Sequence, residues 1–319
     1  MRDNGIEVRE STYTGSCPTK AADERSETRL SFPELPDEEI SIEELLYRRK
    51  SEFRRRKEWK DARRIVPVKV SDNRPIGIVM FGDPHVDDPG SDIEALERDV
   101  NLIRETPGLY GACIGDIQNN WVGRLSHLYG RQETTARQAW QLVEWFIDSL
   151  KEHWLFLVQG NHDHWSGTGN PLNWIQRQSQ GIHGDHEVRI SIEFPNDTKV
   201  RIAARHDWPG SSIWNPTHGQ VRAATMTVHD HIVVAGHRHT GGYQKLRIPA
   251  SQLISHCIAL GAYKLFDDYA EAKAFPNRHI SPSVTAIINP SGNEDSVVRI
   301  EHDTEAAASY LTWLRQRGG

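Results

Sequence analysis

The chain has 319 residues, 37% of them hydrophobic, and a net charge of -6 at pH 7. That is enough apolar material for one large domain or two small ones, and the acidic sum excludes a uniformly basic nucleic-acid coat. Three cysteines, Cys17, Cys113 and Cys257, are odd in number and unpaired in spacing, so neither a disulfide framework nor a thiolate zinc site is expected. The first residues lack the apolar core of a signal peptide, and no run approaches the roughly 20 apolar residues of a membrane span. A cytoplasmic protein without membrane contact is expected.

Residues 1–35 are rich in Glu, Ser, Thr, Arg and Gly with almost no apolar periodicity, a composition expected to be disordered. Residues 36–66 read as a helical arm. Ser41 and Glu44 make a capping-box pattern, and Ile42, Leu45, Leu46 and Phe53 form a short apolar stripe. From Arg48 to Arg64 there are ten Lys/Arg against three Asp/Glu, a local 10 - 3 = +7. Such a run is either a solvated arm or a contact for phosphate backbones, and so a candidate surface for DNA or RNA.

From Ile76 the pattern changes to alternating strand and helix, and residues 72–302 read as one α/β domain. Ile76 to Phe81 is a buried strand, and Ser91 with Glu94 is expected to cap a helix carrying Ile93, Leu96, Val100 and Ile103. A strand from Gly111 to Ile114 delivers Gly115-Asp116. The apolar spacing of Ala136, Ala139, Trp140, Val143, Phe146, Ile147 and Leu150 predicts an amphipathic helix over about 133–150. Trp154 to Val158 is a strand ending at Gly160-Asn161-His162-Asp163. Residues 187–194 and 199–205 read as a hairpin ending at His206, and 231–235 feeds Gly236-His237-Arg238-His239. Strands near 283–289 and 297–300 and a helix over about 304–317, within a terminal segment 303–319, close the chain.

A polar cluster therefore follows each of five predicted strands, where loops of an α/β fold converge on ligands. Asp83, His85, Asp116, Asn161, His206, His237 and His239 include every donor type that a two-metal hydrolase uses, whereas any one of these fragments alone is an ordinary loop.

The order Asp83-Pro84-His85, Gly115-Asp116, Gly160-Asn161-His162-Asp163, His206, Gly236-His237-Arg238-His239 resembles the calcineurin-like metallophosphoesterase superfamily over roughly residues 76–302. The resemblance implies two mixed β-sheets sandwiched by helices, and two divalent cations. By it, Asp83, His85, Asp116 and His239 hold the first metal, and Asp116 bridges to a second completed by Asn161, His206 and His237. His162 is the residue that approaches the phosphate as acid or orienting donor. A bridging carboxylate brings two dications about 3.5–4 Å apart, so that a shared hydroxide can attack the phosphorus. The mixed imidazole, carboxylate and amide donors favour manganese, with iron or zinc as alternatives.

Protein Ser/Thr phosphatases of this superfamily continue the second motif as Gly-Asp-x-x-Asp-Arg-Gly and the third as Gly-Asn-His-Glu. Here the residues are Gly115-Asp116-Ile117-Gln118-Asn119-Asn120-Trp121 and Gly160-Asn161-His162-Asp163, so the phosphate-binding Arg is missing. The form is closer to the repair-nuclease and cyclic-nucleotide phosphodiesterase branches, and the arm plus domain also looks like phage-encoded members. A phosphodiester substrate is expected, with nucleic acid its leading class. Asn119, His164, Trp165, Trp208 and Arg238 are candidate substrate contacts, and aromatic walls near the site can stack bases. A small-molecule phosphodiesterase or phosphatase is the alternative, and a non-catalytic scaffold the remote one. Nothing in the sequence sets the oligomeric state.

Overall fold

The computed structural model describes residues 40–167, 170–266 and 281–317. The segment 1–35 lies outside the described residues. The chain divides into two units at Phe53/Arg54. The basic helix α1 (Ile42–Ala62) runs across that boundary and has no buried residue. Its first turn is capped as expected, the Ser41 hydroxyl oxygen accepting from the Glu44 amide at 3.2 Å.

The second unit is built on two six-stranded sheets. The first comprises β2 (Ile76–Phe81), β3 (Leu109–Cys113), β4 (Trp154–Val158), β5 (Ile182–Gly184), β11 (Ser283–Ile288) and β12 (Val298–Glu301), ordered β12-β11-β2-β3-β4-β5. The second comprises β1 (Val66–Lys69), β6 (Glu187–Glu193), β7 (Lys199–Arg205), β8 (Ile232–Ala235), β9 (Gly242–Arg247) and β10 (Ile254–Ala259), ordered β1-β6-β7-β8-β10-β9. Both are mixed. β2 through β5 run parallel, as do β7, β8 and β10, while β11 and β9 are antiparallel to their neighbours.

Period-two alternation sorts each strand between two cores. Ile78 and Met80 of β2 face the second sheet and pack with Ile190, Ile202, Val234 and Ile258. Val79 and Phe81 face outward against Val100 and Ile103 of α2 (Ile93–Glu105), Val143 and Phe146 of α3 (Ala136–Ser149), and Leu311 of the C-terminal helix (Thr304–Arg317). Because both faces are covered, β2 needs an unbroken apolar run, and all six of its residues are buried. On the outer face of the second sheet, Ala203, Val233 and Cys257 pack against Ala223, Ala224 and Val228 of a short helix (His218–Ala223) and the π turn continuing it. The result is helix, sheet, sheet, helix, the expected fold class.

Local details differ from expectation where polar chemistry overrides pattern. The cap of α2 is Asp92, whose carboxylate accepts from the Ala95 amide at 2.9 Å, not Ser91. The hydroxyl of Ser91 donates instead to the His85 carbonyl at 2.9 Å. The helix over 136–149 starts at Thr135, which with Gln138 forms a capping box. Four strands were not anticipated. β1 carries Pro67, tolerated because β1 is an edge strand, and it extends the sheet below residue 72 into the segment read as arm. β5 has only three residues. β9, also an edge, is mostly exposed and polar, and β10 hides its apolar pattern behind Ser255 and His256. The segment 303–319 is not separate either: Ala307 and Leu311 belong to the outer core of the first sheet.

Candidate metal centre

The polar clusters lie at the carboxyl ends of β2, β3 and β4 in one sheet and of β7 and β8 in the other. Five strand ends thus supply one cluster, with the Asp116 carboxylate shared between two donor groups: His85, Asp116 and His162, and Asp116, His206 and His237. In each group the donor atoms lie within 4.8 Å of one another. His206 Nε2 is 3.2 Å from Asp116 Oδ2, 3.0 Å from Asn161 Oδ1 and 3.0 Å from His237 Nδ1. His85 Nε2 and His239 Nε2 are 3.3 Å apart, and His239 Nε2 is 3.5 Å from Asp83 Oδ2. All seven residues expected to bind metal are therefore brought together.

Backbone packing makes this convergence possible. A Cβ on Gly115, whose φ is +104°, would sit 2.3 Å from the Gly160 amide nitrogen. One on Gly160 would sit 2.1 Å from Asp116 Oδ1. The two motif glycines let two loops touch. Four of the donors, His85, Asp116, His237 and His239, adopt positive φ of 41°, 49°, 69° and 50°. Left-handed backbone costs such residues about 1–2 kcal/mol each, and strain of this kind is retained where it aims functional side chains.

Sequence reasoning gave Asp163 no role, yet it holds the loops together. Its carboxylate is buried and accepts from the amides of Gly160 at 2.7 Å, Asp116 at 2.9 Å and Ile117 at 3.3 Å. The usable signal was its position three residues after Gly160 at the start of a helix, where a carboxylate reaches back to a free amide. Burial, reinforced by Asp116, pushes Asp163 up to about 6. Asp87, also buried, similarly accepts from the Asn119 amide at 2.7 Å.

The donor set fits a cation on two observations. Imidazole nitrogens face each other and carboxylates at 3.0–3.5 Å, while Asp83 Oδ1 and His85 Nδ1 are buried with no hydrogen-bond partner. His206 donates Nδ1–H to the Ile114 carbonyl at 2.9 Å, which fixes Nε2 as the nitrogen turned to the pocket. Left to its own charges, the cluster must recruit protons. Burial, reinforced by Asp116 though opposed by His206, pushes Asp83 up to about 8. Against the cost of burial, Asp116 and Asp83 push His206 up to about 10. Burial and the neighbouring His162 and His239 hold His85 well below the ordinary imidazole value. A bound dication would supply the positive charge that these protons supply otherwise.

The candidate substrate contacts fare unevenly. Trp208 is a correction: it is 6% exposed, packs in the outer core of the second sheet, and donates its indole N–H to the Val234 carbonyl at 3.1 Å. Its large apolar ring is better satisfied there than in a polar rim. Asn119 is also corrected: it is fully buried, and its amide donates to Asp88 at 2.8 Å and Gln132 at 3.4 Å. What Asn119 gives the site is its carbonyl, which accepts from His162 Nδ1 at 2.6 Å. His164 meets the Asp185 carbonyl at 2.5 Å, and Arg238 pairs with Asp207 at 3.3 Å on an exposed surface. Trp165 lies directly on His162, their ring centroids 4.0 Å apart.

No protein-family model matches the sequence, and no curated protein does. Solved structures with a similar chain path include Vps29 from Entamoeba histolytica complexed with zinc, at TM-score 0.34 and 12% identity over 71% of this chain and 97% of that one. The calcineurin-like phosphoesterase YfkN from Bacillus subtilis gives 0.40 and 11% over 77% and 97%. A conserved uncharacterized protein, a predicted phosphoesterase from Streptococcus pneumoniae, gives 0.31 and 9% over 72% and 98%. At that distance none of them bears on activity, which has to be read from the site.

Proposed function

We propose that the chain is a calcineurin-like metallophosphoesterase that hydrolyses phosphodiesters with two divalent cations. The observation that carries the reading is the convergence of Asp83, His85, Asp116, Asn161, His206, His237 and His239 from both sheets, with Asp116 common to the two donor groups. Asp83, His85, Asp116 and His239 would hold one cation, and Asp116, Asn161, His206 and His237 the other, with manganese favoured over iron or zinc. When bound, such a pair supplies Lewis-acid activation of water and neutralises phosphoryl charge.

The chain's own groups do the rest. Because a carbonyl can only accept, His162 must carry its neutral-state proton on Nδ1, which directs Nε2 toward the pocket, 3.9 Å from Asp116 Oδ2. From there a protonated His162 can deliver Nε2–H to a departing alkoxide, or hydrogen-bond a non-bridging phosphoryl oxygen. Asp116 in turn accepts from the His162 backbone amide at 2.9 Å, so His162 and the Asp116 carboxylate keep a fixed separation.

Nucleic acid is the substrate class we favour, supported by the +7 of the run from Arg48 to Arg64, most of which lies on the exposed helix α1. A small phosphodiester is the second reading. The burial of Trp208 and Asn119, which removes two candidate contacts for a long substrate, favours it. End-labelled single- and double-stranded DNA, incubated with manganese-loaded protein and with Asp116→Asn, tests both. Cleavage by the wild type alone supports the nuclease. Intact DNA with cleavage of bis(p-nitrophenyl) phosphate supports the small-ester reading, and failure on both substrates ends the phosphoesterase proposal.

A further inference from the structure

The imidazole of His162 sits in an aromatic enclosure that the metal ligands do not require. The Trp165 ring lies over it at 4.0 Å and 36°, and Trp121 meets it at 5.3 Å and 66°. The two indoles are 6.2 Å apart, so they touch each other as well as the histidine. No slot for a nucleobase separates them. The His85 ring also meets the His162 imidazole edge-on at 5.1 Å, and the other restraints act on its ends: the Asn119 carbonyl accepts from Nδ1, Asp116 accepts from the His162 amide at 2.9 Å, and Asn120 donates to the His162 carbonyl at 2.7 Å and to Ser166 at 3.0 Å.

One hydrogen bond to a carbonyl fixes where Nδ1 points but leaves the ring free to rock about that bond. A carboxylate partner would add charge attraction, yet the Asn119 side chain is turned away toward Asp88 and Gln132. Packing must then set the plane of the ring. We propose that Trp121 and Trp165 are positioning residues that clamp the His162 imidazole and hold Nε2 on the path of the leaving group. The clamp rests on the phosphoesterase reading for its purpose, but not for its existence. Aromatic rings meeting at these distances and angles have preferred relative orientations, which restrict the imidazole plane.

Two readouts test it on the full chain. The first needs no turnover: the Nδ1–H resonance of His162, assigned by its loss in His162→Gln, is expected to be protected from solvent exchange in the wild type. It is expected to broaden away in Trp165→Ala and to persist in Trp165→Phe, which keeps a ring on the histidine. The second uses manganese-loaded enzyme and diesters with different leaving groups. For an alkyl leaving group, Trp165→Ala should lower kcat by about 10–100-fold, part of the 10²–10⁴ a general acid contributes, with KM little changed. For p-nitrophenolate, which leaves without a proton, the loss should be much smaller. Trp165→Ala added to His162→Ala should cost nothing further, because both remove one function.

Persistence of the protected resonance in Trp165→Ala overturns the clamp, as does a rise in KM at constant kcat or an equal loss on both leaving groups. Should Trp165→Ala lose its folded spectrum, Trp121→Ala with Trp121→Phe as its rescue decides the same question. A wild type that hydrolyses neither ester would defeat the phosphoesterase reading, and the resonance would still decide the clamp.

Discussion

Two buried polar clusters in this molecule answer the same electrostatic problem in opposite ways. Around Asp230, which is fully buried, Arg189 donates to both carboxylate oxygens at 2.5 and 2.9 Å, and Arg201 adds a third contact at 2.8 Å. The spare guanidinium donors go to the carbonyls of Val228 and His229. The buried carboxylate is compensated from within the chain. Around Asp83 and Asp116, equally buried, the neighbours are imidazoles, and Asp83 Oδ1 and His85 Nδ1 find no hydrogen-bond partner. A buried carboxylate without compensation is expensive, so the second cluster must take its positive charge from protons or from a cation. The difference separates a self-compensated node from a cluster suited to a cation.

The comparison breaks first at Asp230. Asp230→Ala strands two guanidinium groups and should cost about 3–5 kcal/mol at most, discounted for the partial exposure of Arg201. Urea denaturation measures it, and metal uptake should be untouched. If that variant lost metal but not stability, the two clusters would have been assigned backwards.

Gly160→Ala is expected to follow in size. Its Cβ would fall 2.1 Å from Asp116 Oδ1, so the two loops must part. Overpacking of this kind costs about 1–3 kcal/mol, and here it should also weaken manganese binding by calorimetry. Manganese added to the wild type at 100 times its dissociation constant should raise stability by about 2.7 kcal/mol per site filled, read as a shift in Tm. Asp230→Ala should show the same increment from its lower baseline.

A smaller effect separates the clusters by pH. His231 is pushed down to about 4 by burial and then by Arg201, and its Nδ1 accepts from the Arg201 amide at 3.0 Å, which demands the neutral ring. His256 is also pushed down to about 4, by burial and then by Lys245. Both folded-state values lie below the unfolded value of about 6.5, so the unfolded chain binds more protons between them. Their contribution is full above about pH 6.5 and is lost as pH falls toward 4. His231→Gln should flatten that acid limb in denaturation curves. Least of all, Tyr243→Phe removes a 2.8 Å hydrogen bond to His256 and should cost about 0.5–1.5 kcal/mol.

Much of this was legible in the sequence because the site sits where strands stop. The run from Ile76 to Phe81 and the glycines at 115 and 160 placed Asp83, Asp116 and Asn161 at strand ends, and residue type did the rest. Side-chain direction was not legible. Trp208 and Trp165 both follow motif histidines closely, yet one is buried in the outer core and the other lies on His162. Nor could spacing show that Asn119 would contribute its carbonyl and Asp163 its carboxylate, since both roles depend on backbone turns. β10 was missed because its buried Ser255 and His256 are satisfied by the Asp230 carbonyl and Tyr243, partners remote in sequence.

The measurement that decides most is metal content with thermal stability, on protein stripped by chelator and then reloaded with manganese, wild type beside Asp116→Asn. Two manganese ions per wild-type chain with a raised Tm, and neither in Asp116→Asn, is the expected result. A wild type that takes up no metal, or takes up as much as Asp116→Asn with no change in Tm, would contradict the metal centre and the function proposed for it.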